Sequence, residues 1–312
     1  MKILISDKTH ESCAGKFRAA GFEVDEKPGL SPEERLAIIK EYHGLVVRSA
    51  TKVTPELLEA AENLKVVGRA GTGLDNVDIP ACTAKGVVVM NTPGQNSNAA
   101  AELALTMIFG LSRHLYLGCD SLKAYRWEKK ALQGSEVMGK TLGVVGYGNI
   151  GRIVGELGRG VKMKVLAFDP FLSDDQVRDF GAEPMALDNL LAQADYVTIH
   201  IPKTKETANL FDAATINKMK DGAYLINCAR GGLVDEDALY EALTSGKLSG
   251  AALDVFAEEP PGEHKLLKLD SFICTPHLGA STIEAQINVA VAVAEQMIKY
   301  LKEGEAVNAV NA

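Results

Sequence analysis

Six residues, Gly146-Tyr147-Gly148-Asn149-Ile150-Gly151, join an apolar strand-like run (Thr141 to Val145) to a helix-like one (Asn149 to Gly158). One strand later, at the end of the apolar run Lys164 to Phe168, stands Asp169. A glycine-rich turn between strand and helix, followed after about 20 residues by an acid, is the signature of a dinucleotide site on a parallel α/β sheet. Gly146 permits the tight turn, Gly148 lets the backbone approach a pyrophosphate, and Gly151 lets helix and strand pack closely. The helix N-terminus offers free N–H groups and a positive dipole end to the phosphates. Asp169 can accept hydrogen bonds from both adenosine ribose hydroxyls and would repel a 2′-phosphate. Neither Pro170 nor Phe171 supplies an arginine to hold one. The cofactor expected is NAD rather than NADP.

The rest of the chain alternates in the same way. Strand-like runs at Lys2–Ser6, Phe22–Asp25, Gly44–Ser49, Lys65–Arg69 and Gly86–Asn91 are separated by helix-like segments at His10–Ala20, Ser31–Tyr42 and Pro55–Asn63. A long helix is expected over Asn98–Cys119. A second alternating series then runs through Thr141–Val145, Lys164–Phe168, Tyr196–Ile201, Ala223–Cys228, Gly250–Phe256 and Phe272–Cys274, about the six strands of a complete dinucleotide fold. A last helix is expected over Thr282–Glu303, before a polar tail that could pack back on the first domain. Alternating strands and helices imply parallel sheets covered on both faces. The expected architecture is α/β: two doubly wound parallel-sheet domains, with a Rossmann NAD-binding domain (98–283) inserted into a flavodoxin-like substrate-binding domain (1–97 and 284–312). Ligand and cofactor would meet in the cleft between them.

Composition narrows the function classes. A net charge of −8 with no basic stripe argues against nucleic acid as a partner. Five scattered cysteines show no CxxC spacing, as expected of a reducing compartment with neither disulfides nor a zinc site. The longest apolar stretch, Ala99 to Leu111, carries Glu102 and is too short to span a bilayer. The opening residues read as a strand and not as a signal peptide, so a cytosolic location is expected.

Three residues lie just beyond the carboxyl ends of three consecutive predicted strands: Arg230, Glu259 and His277. Ligands of open parallel sheets bind at that edge, so the three side chains can reach one site beside the nicotinamide end of the cofactor. Their types suit hydride transfer at a hydroxyl-bearing carbon. Histidine can take the hydroxyl proton near neutral pH. Glu259 can hold the far ring nitrogen and fix the tautomer. Arg230 offers a planar fork for a carboxylate and can polarise a carbonyl oxygen. Asp254, at a strand end, is a candidate for the nicotinamide carboxamide. The other histidines (His10, His43, His114, His200 and His264) lack such a setting and read as structural or surface residues.

The runs VVGRAGTGLDNVD (66–78), GVVGYGNIG (143–151), NCARGGLVDEDAL (227–239), GAALDVFAEEPP (250–261) and TPHLGASTIEAQ (275–286) resemble the D-isomer-specific 2-hydroxyacid dehydrogenases. The resemblance covers essentially the whole chain. It implies Arg230, Glu259 and His277 as the catalytic set and a homodimer through the NAD-binding domains, with a tetramer as the alternative. It also implies a phosphorylated substrate: oxidation of 3-phosphoglycerate to 3-phosphohydroxypyruvate, the opening step of the phosphorylated route to serine. Carried over position by position, the N–H groups of Ala70 and Gly71, with Arg230, would meet the substrate carboxylate. Arg48 and Arg69 would supply charge for the phosphate, Asn96 a hydrogen bond, and Lys129 a cation where relatives often have an arginine. Lysine keeps the charge without the bidentate fork. On the cofactor side the resemblance adds the backbone of Asn149 and Ile150 at the pyrophosphate, Pro202 and Thr207 on the adenosine side, and the backbone of Cys228 near the nicotinamide ribose. The Cys228 thiol itself is expected to be a packing group. No metal is expected, and the chain ends at Ala312 without the regulatory domain of longer relatives. Alternatives on the same fold are a glyoxylate or hydroxypyruvate reductase, another D-2-hydroxyacid dehydrogenase and, remotely, an NAD-sensing binding protein.

Overall fold

The computed structural model describes residues 1–312, which form two compact units. One is Met1–Asn96 together with Ala280–Ala312; the other is Ser97–Gly279. The return to the first unit therefore falls just before Thr282, whose side chain caps the C-terminal helix.

The first unit contains β1 (Lys2–Ile5), β2 (Glu23–Glu26), β3 (Gly44–Val47), β4 (Val66–Arg69) and β5 (Val88–Met90). All pair in parallel in the order β2-β1-β3-β4-β5. The central strand β3, Gly-Leu-Val-Val, is buried throughout, as expected of a parallel strand covered on both faces. Helix α1 (Ser12–Ala19) and the C-terminal helix Ile283–Glu303 cover one face through Phe17, Val293 and Met297. Tyr42, Leu57 and Leu58 lie in the cluster that covers the other. Helix α2 (Pro32–Ile38) starts at a capping box, Ser31 with Glu34, and with Pro32 in its first turn. The short helices α3 (Pro55–Ala60) and α4 (Ile79–Ala84) follow. Alternation does not reveal α4, but Asp78 caps it and Pro80 sits in its first turn. The tail packs on this unit: Met90 bridges Ala309, and the Val310 N–H donates to the Val89 carbonyl at 2.9 Å.

The second unit opens with helix α5 (Ser97–Ser112) and helix α6 (Leu115–Lys123), where the sequence suggests a single helix over Asn98–Cys119. The break is tertiary. The Ser135 N–H takes the Ser112 carbonyl at 2.8 Å, the Ser112 hydroxyl meets Tyr196 Oη at 2.8 Å, and His114 adopts a left-handed φ of 47°. Beyond it come β6 (Thr141–Val145), α7 (Asn149–Gly160), β7 (Lys164–Phe168), α8 (Asp174–Asp179), β8 (Glu183–Pro184), α9 (Leu187–Gln193) and β9 (Tyr196–Ile199). Then follow α10 (Ala213–Lys218), β10 (Ala223–Asn227), α11 (Glu236–Thr244), β11 (Leu248–Leu253) and β12 (Phe272–Cys274). The seven strands are parallel, in the order β12-β11-β10-β9-β6-β7-β8. The seventh, beyond the expected six, is the two-residue edge strand β8, too short to leave a sequence signal. The order reverses between β6 and β9, which sets the switch point where a doubly wound sheet binds its ligand. No helix is long and apolar enough to cross a membrane.

Candidate active site

The glycine turn follows β6 at that switch point. Gly146 has φ of 91°, and a Cβ there would sit 2.6 Å from the His200 carbonyl oxygen. A Cβ on Gly151 would collide with the Gly146 carbonyl, so α7 packs on the turn only with glycine at both places. At Gly148 a Cβ would enter open space, which is room for a phosphate group. Gly148 is the N-cap of α7 and has no side-chain cap, so the first-turn N–H groups of Asn149 and Ile150 have no side chain to bind. Tyr147 points the other way. Its ring is fully buried, worth roughly 2–3 kcal/mol, and its hydroxyl reaches the Phe180 carbonyl at 3.2 Å.

Asp169 closes the turn from β7. Its Oδ2 accepts the Tyr147 N–H at 2.8 Å and its Oδ1 the Phe171 N–H at 2.9 Å. Each carboxylate oxygen keeps a second lone pair for a ribose hydroxyl. The turn, the uncapped helix start and this acid together fit the pyrophosphate and ribose of NAD.

The turn 202–207 is stapled by its own side chain. Thr207 Oγ1 donates to the Pro202 carbonyl at 2.7 Å and accepts the Thr204 N–H at 2.7 Å. The Thr207 hydroxyl thus shapes the turn, and Pro202 lies at the turn's start. Nearby, His200 Nε2 meets Thr198 Oγ1 at 2.8 Å, while its Nδ1 is sealed without a hydrogen-bond partner. Burial pulls its pKa down to about 3.

Arg230, Glu259 and His277 follow β10, β11 and β12, three neighbouring strands, at one edge of the same sheet. His277 Nδ1 lies 2.8 Å from Glu259 Oε2. A ring nitrogen facing a carboxylate carries the proton, which leaves Nε2 with a free lone pair. Glu259 is fixed in turn, because its Oε1 accepts the Phe256 N–H at 3.1 Å. Both side chains stay partly open to solvent, as groups that meet a ligand must.

Asp254 anchors the turn that bears His277. It is fully buried, and its carboxylate accepts the Thr275 hydroxyl at 2.5 Å, the Leu278 N–H at 2.6 Å and the Gly279 N–H at 2.8 Å. Its carbonyl accepts the His277 N–H at 2.8 Å. These bonds hold His277 at its left-handed φ of 55°. Strand β11 ends at Leu253, and the Asp254 carboxylate faces the turn 275–279. Burial raises its pKa, against the hydrogen bonds and the nearby His277.

Asn227, which the sequence reading passes over, organises the Arg230 turn. It is fully buried, accepts the Ala229 N–H at 3.0 Å through Oδ1 and donates to the Arg230 carbonyl at 2.9 Å. Its sequence signal is an asparagine that opens the run Asn-Cys-Ala-Arg-Gly-Gly, an Asx-turn composition. The Arg230 Nη1 donates to the Ala229 carbonyl at 2.7 Å. Cys228 is buried with Sγ 3.5 Å from the Met107 sulfur, and burial pushes its thiol pKa up, so it packs.

In the first unit, Arg48 follows β3 and Arg69 ends β4. Arg48 is half-buried, and its Nη1 donates to the Lys8 carbonyl at 3.2 Å. Burial lowers its pKa and the charge of Asp7 opposes that shift. The Arg69 guanidinium lies where a Cβ on Gly71 would be. The N–H groups of Ala70 and Gly71 are engaged, with the Val47 carbonyl and the Arg69 carbonyl, each at 2.9 Å. Both groups therefore have a partner within the protein, Ala70 on the sheet ladder and Gly71 in the turn that follows. Asn96 Oδ1 accepts the Thr72 hydroxyl at 2.8 Å, which ties it to the same loop. Lys129 lies in the second unit, exposed on the segment after α6.

Residues 105–279 match the model of the D-isomer specific 2-hydroxyacid dehydrogenase NAD binding domain. The chain belongs to the D-isomer specific 2-hydroxyacid dehydrogenases. Its second unit is the NAD-binding domain of that family. The chain is 48% identical over 310 residues to a D-3-phosphoglycerate dehydrogenase of Synechocystis, covering 99% of this chain and 56% of that protein. It thus spans little more than half the length of that relative. Among solved structures it is similar to the TT0316 protein of Thermus thermophilus (TM-score 0.92, 32% identity, 99% of this chain and 100% of that one). It is also similar to the NAD+-bound 3-phosphoglycerate dehydrogenase of Entamoeba histolytica (TM-score 0.85, 30% identity, 100% and 99%).

Proposed function

We propose that this 2-hydroxyacid dehydrogenase chain oxidises 3-phosphoglycerate to 3-phosphohydroxypyruvate with NAD. The observation that carries the reading is the 2.8 Å contact of His277 Nδ1 with Glu259, on the sheet edge that also bears the glycine turn. It leaves Nε2 to take the proton of the substrate C2 hydroxyl. When bound, NAD would supply the acceptor for the hydride of C2. Arg230 binds the carboxylate and stabilises charge on the C2 oxygen. Glu259 keeps the His277 tautomer, and Asp254 keeps its backbone in place. Arg48 and Arg69 serve the phosphate, with Asn96 and Lys129 as further contacts. The phosphorylated substrate is supported by the names of relatives that match nearly the whole of this chain and by two arginines at the ends of neighbouring strands of the first unit.

The partner we propose is a second copy, docked through the NAD-binding unit. Four large apolar side chains of α6 and the segment after it (Leu115, Leu122, Tyr125 and Trp127) are 58–98% exposed there. A cytoplasmic location is supported by five cysteines that are all free.

The test is NADH formation by absorbance with 3-phosphoglycerate, beside D-glycerate and D-lactate. A strong preference for 3-phosphoglycerate that Arg48→Ala abolishes supports both chemistry and substrate. Equal rates with the unphosphorylated acids would keep the hydride chemistry and discard the phosphate assignment.

A further inference from the structure

The turn that presents Arg48 is held from two sides, by Asp7 and by Asn76. Asp7, buried just after β1, accepts the Arg48 N–H at 2.6 Å, the Thr51 N–H at 3.1 Å and the Thr51 hydroxyl at 2.6 Å. The Asn76 side-chain amide donates to the carbonyls of Arg48 at 2.7 Å and Thr51 at 2.5 Å. One residue thus gathers the N–H groups of the turn and the other its carbonyls.

The bonding continues inward with a fixed direction. Thr51 gives its only hydroxyl proton to Asp7, so Ser6 Oγ, 2.8 Å from Thr51 Oγ1, is the donor of that pair. Ser6 Oγ in turn accepts Arg35 Nε at 2.9 Å, and Arg35 Nη2 donates to the Leu30 carbonyl at 2.8 Å. Arg35, Ser6, Thr51 and Asp7 are all buried. A buried chain of this kind, running from a cation to an anion with its members satisfied, is rigid. At its outer end lie the Arg48 backbone and the exposed Ser49 and Ala50.

We propose that Asp7 and Asn76 are positioning residues that set selectivity for the phosphorylated substrate by fixing the Arg48 turn. Neither touches the substrate. This rests on the reading above, in which Arg48 serves the phosphate. Asp7 acts twice: its carboxylate orders the turn, and its charge offsets the burial of the guanidinium. An asparagine at position 7 keeps one acceptor oxygen but turns an N–H₂ donor toward groups that themselves donate.

The experiment measures kcat and KM for 3-phosphoglycerate, and NAD affinity by calorimetry, in Asp7→Asn, Asn76→Ala, Arg48→Ala and the two double variants with Arg48→Ala. We expect Asp7→Asn and Asn76→Ala each to raise KM about tenfold, the effect of one misplaced charged contact. Their kcat should stay within about threefold and NAD affinity should be unchanged. Residues that act through Arg48 are non-additive with it, so either change should add less than about twofold in the Arg48→Ala background. An unchanged KM in both single variants, or an equal rise with and without Arg48, overturns the proposal. If Asp7→Asn does not fold, Asn76→Ala decides by the same criteria. If Arg48→Ala itself leaves KM unchanged, the phosphate reading fails first. If Arg48→Ala raises KM while Asp7→Asn and Asn76→Ala do not, only the positioning proposal fails.

Discussion

Replacing Glu259 by glutamine tests the acid–base pair with the smallest change of shape. Glu259 serves two donors: its Oε2 faces His277 Nδ1 at 2.8 Å and its Oε1 accepts the Phe256 N–H at 3.1 Å. Glutamine has one acceptor oxygen. If that oxygen stays on Phe256, the side-chain N–H₂ faces Nδ1 and selects the tautomer protonated at Nε2, which cannot take a proton from substrate. If it turns to His277, the Phe256 N–H is left without its partner and the loop bearing residue 259 loosens. A hydrogen bond to a charged group is worth about 1.5–3 kcal/mol, a factor of roughly 10 to 150. The side chains are 50% and 38% exposed, which places the effect at the low end, about 10- to 30-fold in kcat/KM. The assay is NADH formation at saturating NAD, with NAD affinity measured separately and expected to be unchanged. His277→Ala should lose at least about 100-fold in kcat, the usual contribution of a general base. Adding Glu259→Gln to it should change little more, because the two residues act as one unit. An activity within twofold of the parent in Glu259→Gln, or an equal further loss without His277, would refute the role given to this contact.

Three further outcomes follow from the same geometry. Asp169→Ala should weaken NAD and relax discrimination against NADP, since it removes both the ribose acceptor and the charge that repels a 2′-phosphate; an unchanged NAD/NADP ratio in kcat/KM would mean that another residue reads the ribose. Gly151→Ala should destabilise the second unit by more than about 3 kcal/mol, since the new Cβ collides with the Gly146 carbonyl, a backbone atom that cannot step aside; thermal melts check this. His200 prefers to be neutral in the fold, with a pKa of about 3 against 6.5, so its contribution is complete above pH 6.5 and is lost as the pH falls toward 3. Full linkage at pH 5 is about 2 kcal/mol, and His200→Gln should lose less melting temperature than the parent between pH 7.5 and 5.

Much of the fold was legible because parallel strands and a dinucleotide turn leave local signals. Thr141–Val145, Lys164–Phe168 and Phe272–Cys274 are bounded in the structure as the apolar runs bound them. Strand ends were less legible where a side chain beyond the strand redirects the chain. The run 250–256 reads as one strand, yet the structure stops it at Leu253, because Asp254 turns to the 275–279 loop. The continuous helix expected over 98–119 fails for the same kind of reason. Its sequence is helical throughout, but the Ser135 N–H, distant along the chain, claims the Ser112 carbonyl.

The sequence by itself determined the chemistry on offer: glycines where backbone must approach backbone, an acid after the second strand, and Arg230, Glu259 and His277 after three successive strands. These are local facts, fixed by spacing and by the parallel sheet that spacing imposes. Only the tertiary structure decided which polar groups remain available. Asp254, Thr207 and the N–H groups of Ala70 and Gly71 all looked free to meet a ligand, and each is engaged within the protein. Asp7, Asn76 and Asn227 carry no role that spacing reveals, and in the structure they hold the turns that bear Arg48 and Arg230. Hydrogen-bond satisfaction is a property of what lies within about 3 Å in space, and a buried polar group takes the nearest partner whatever its distance along the chain.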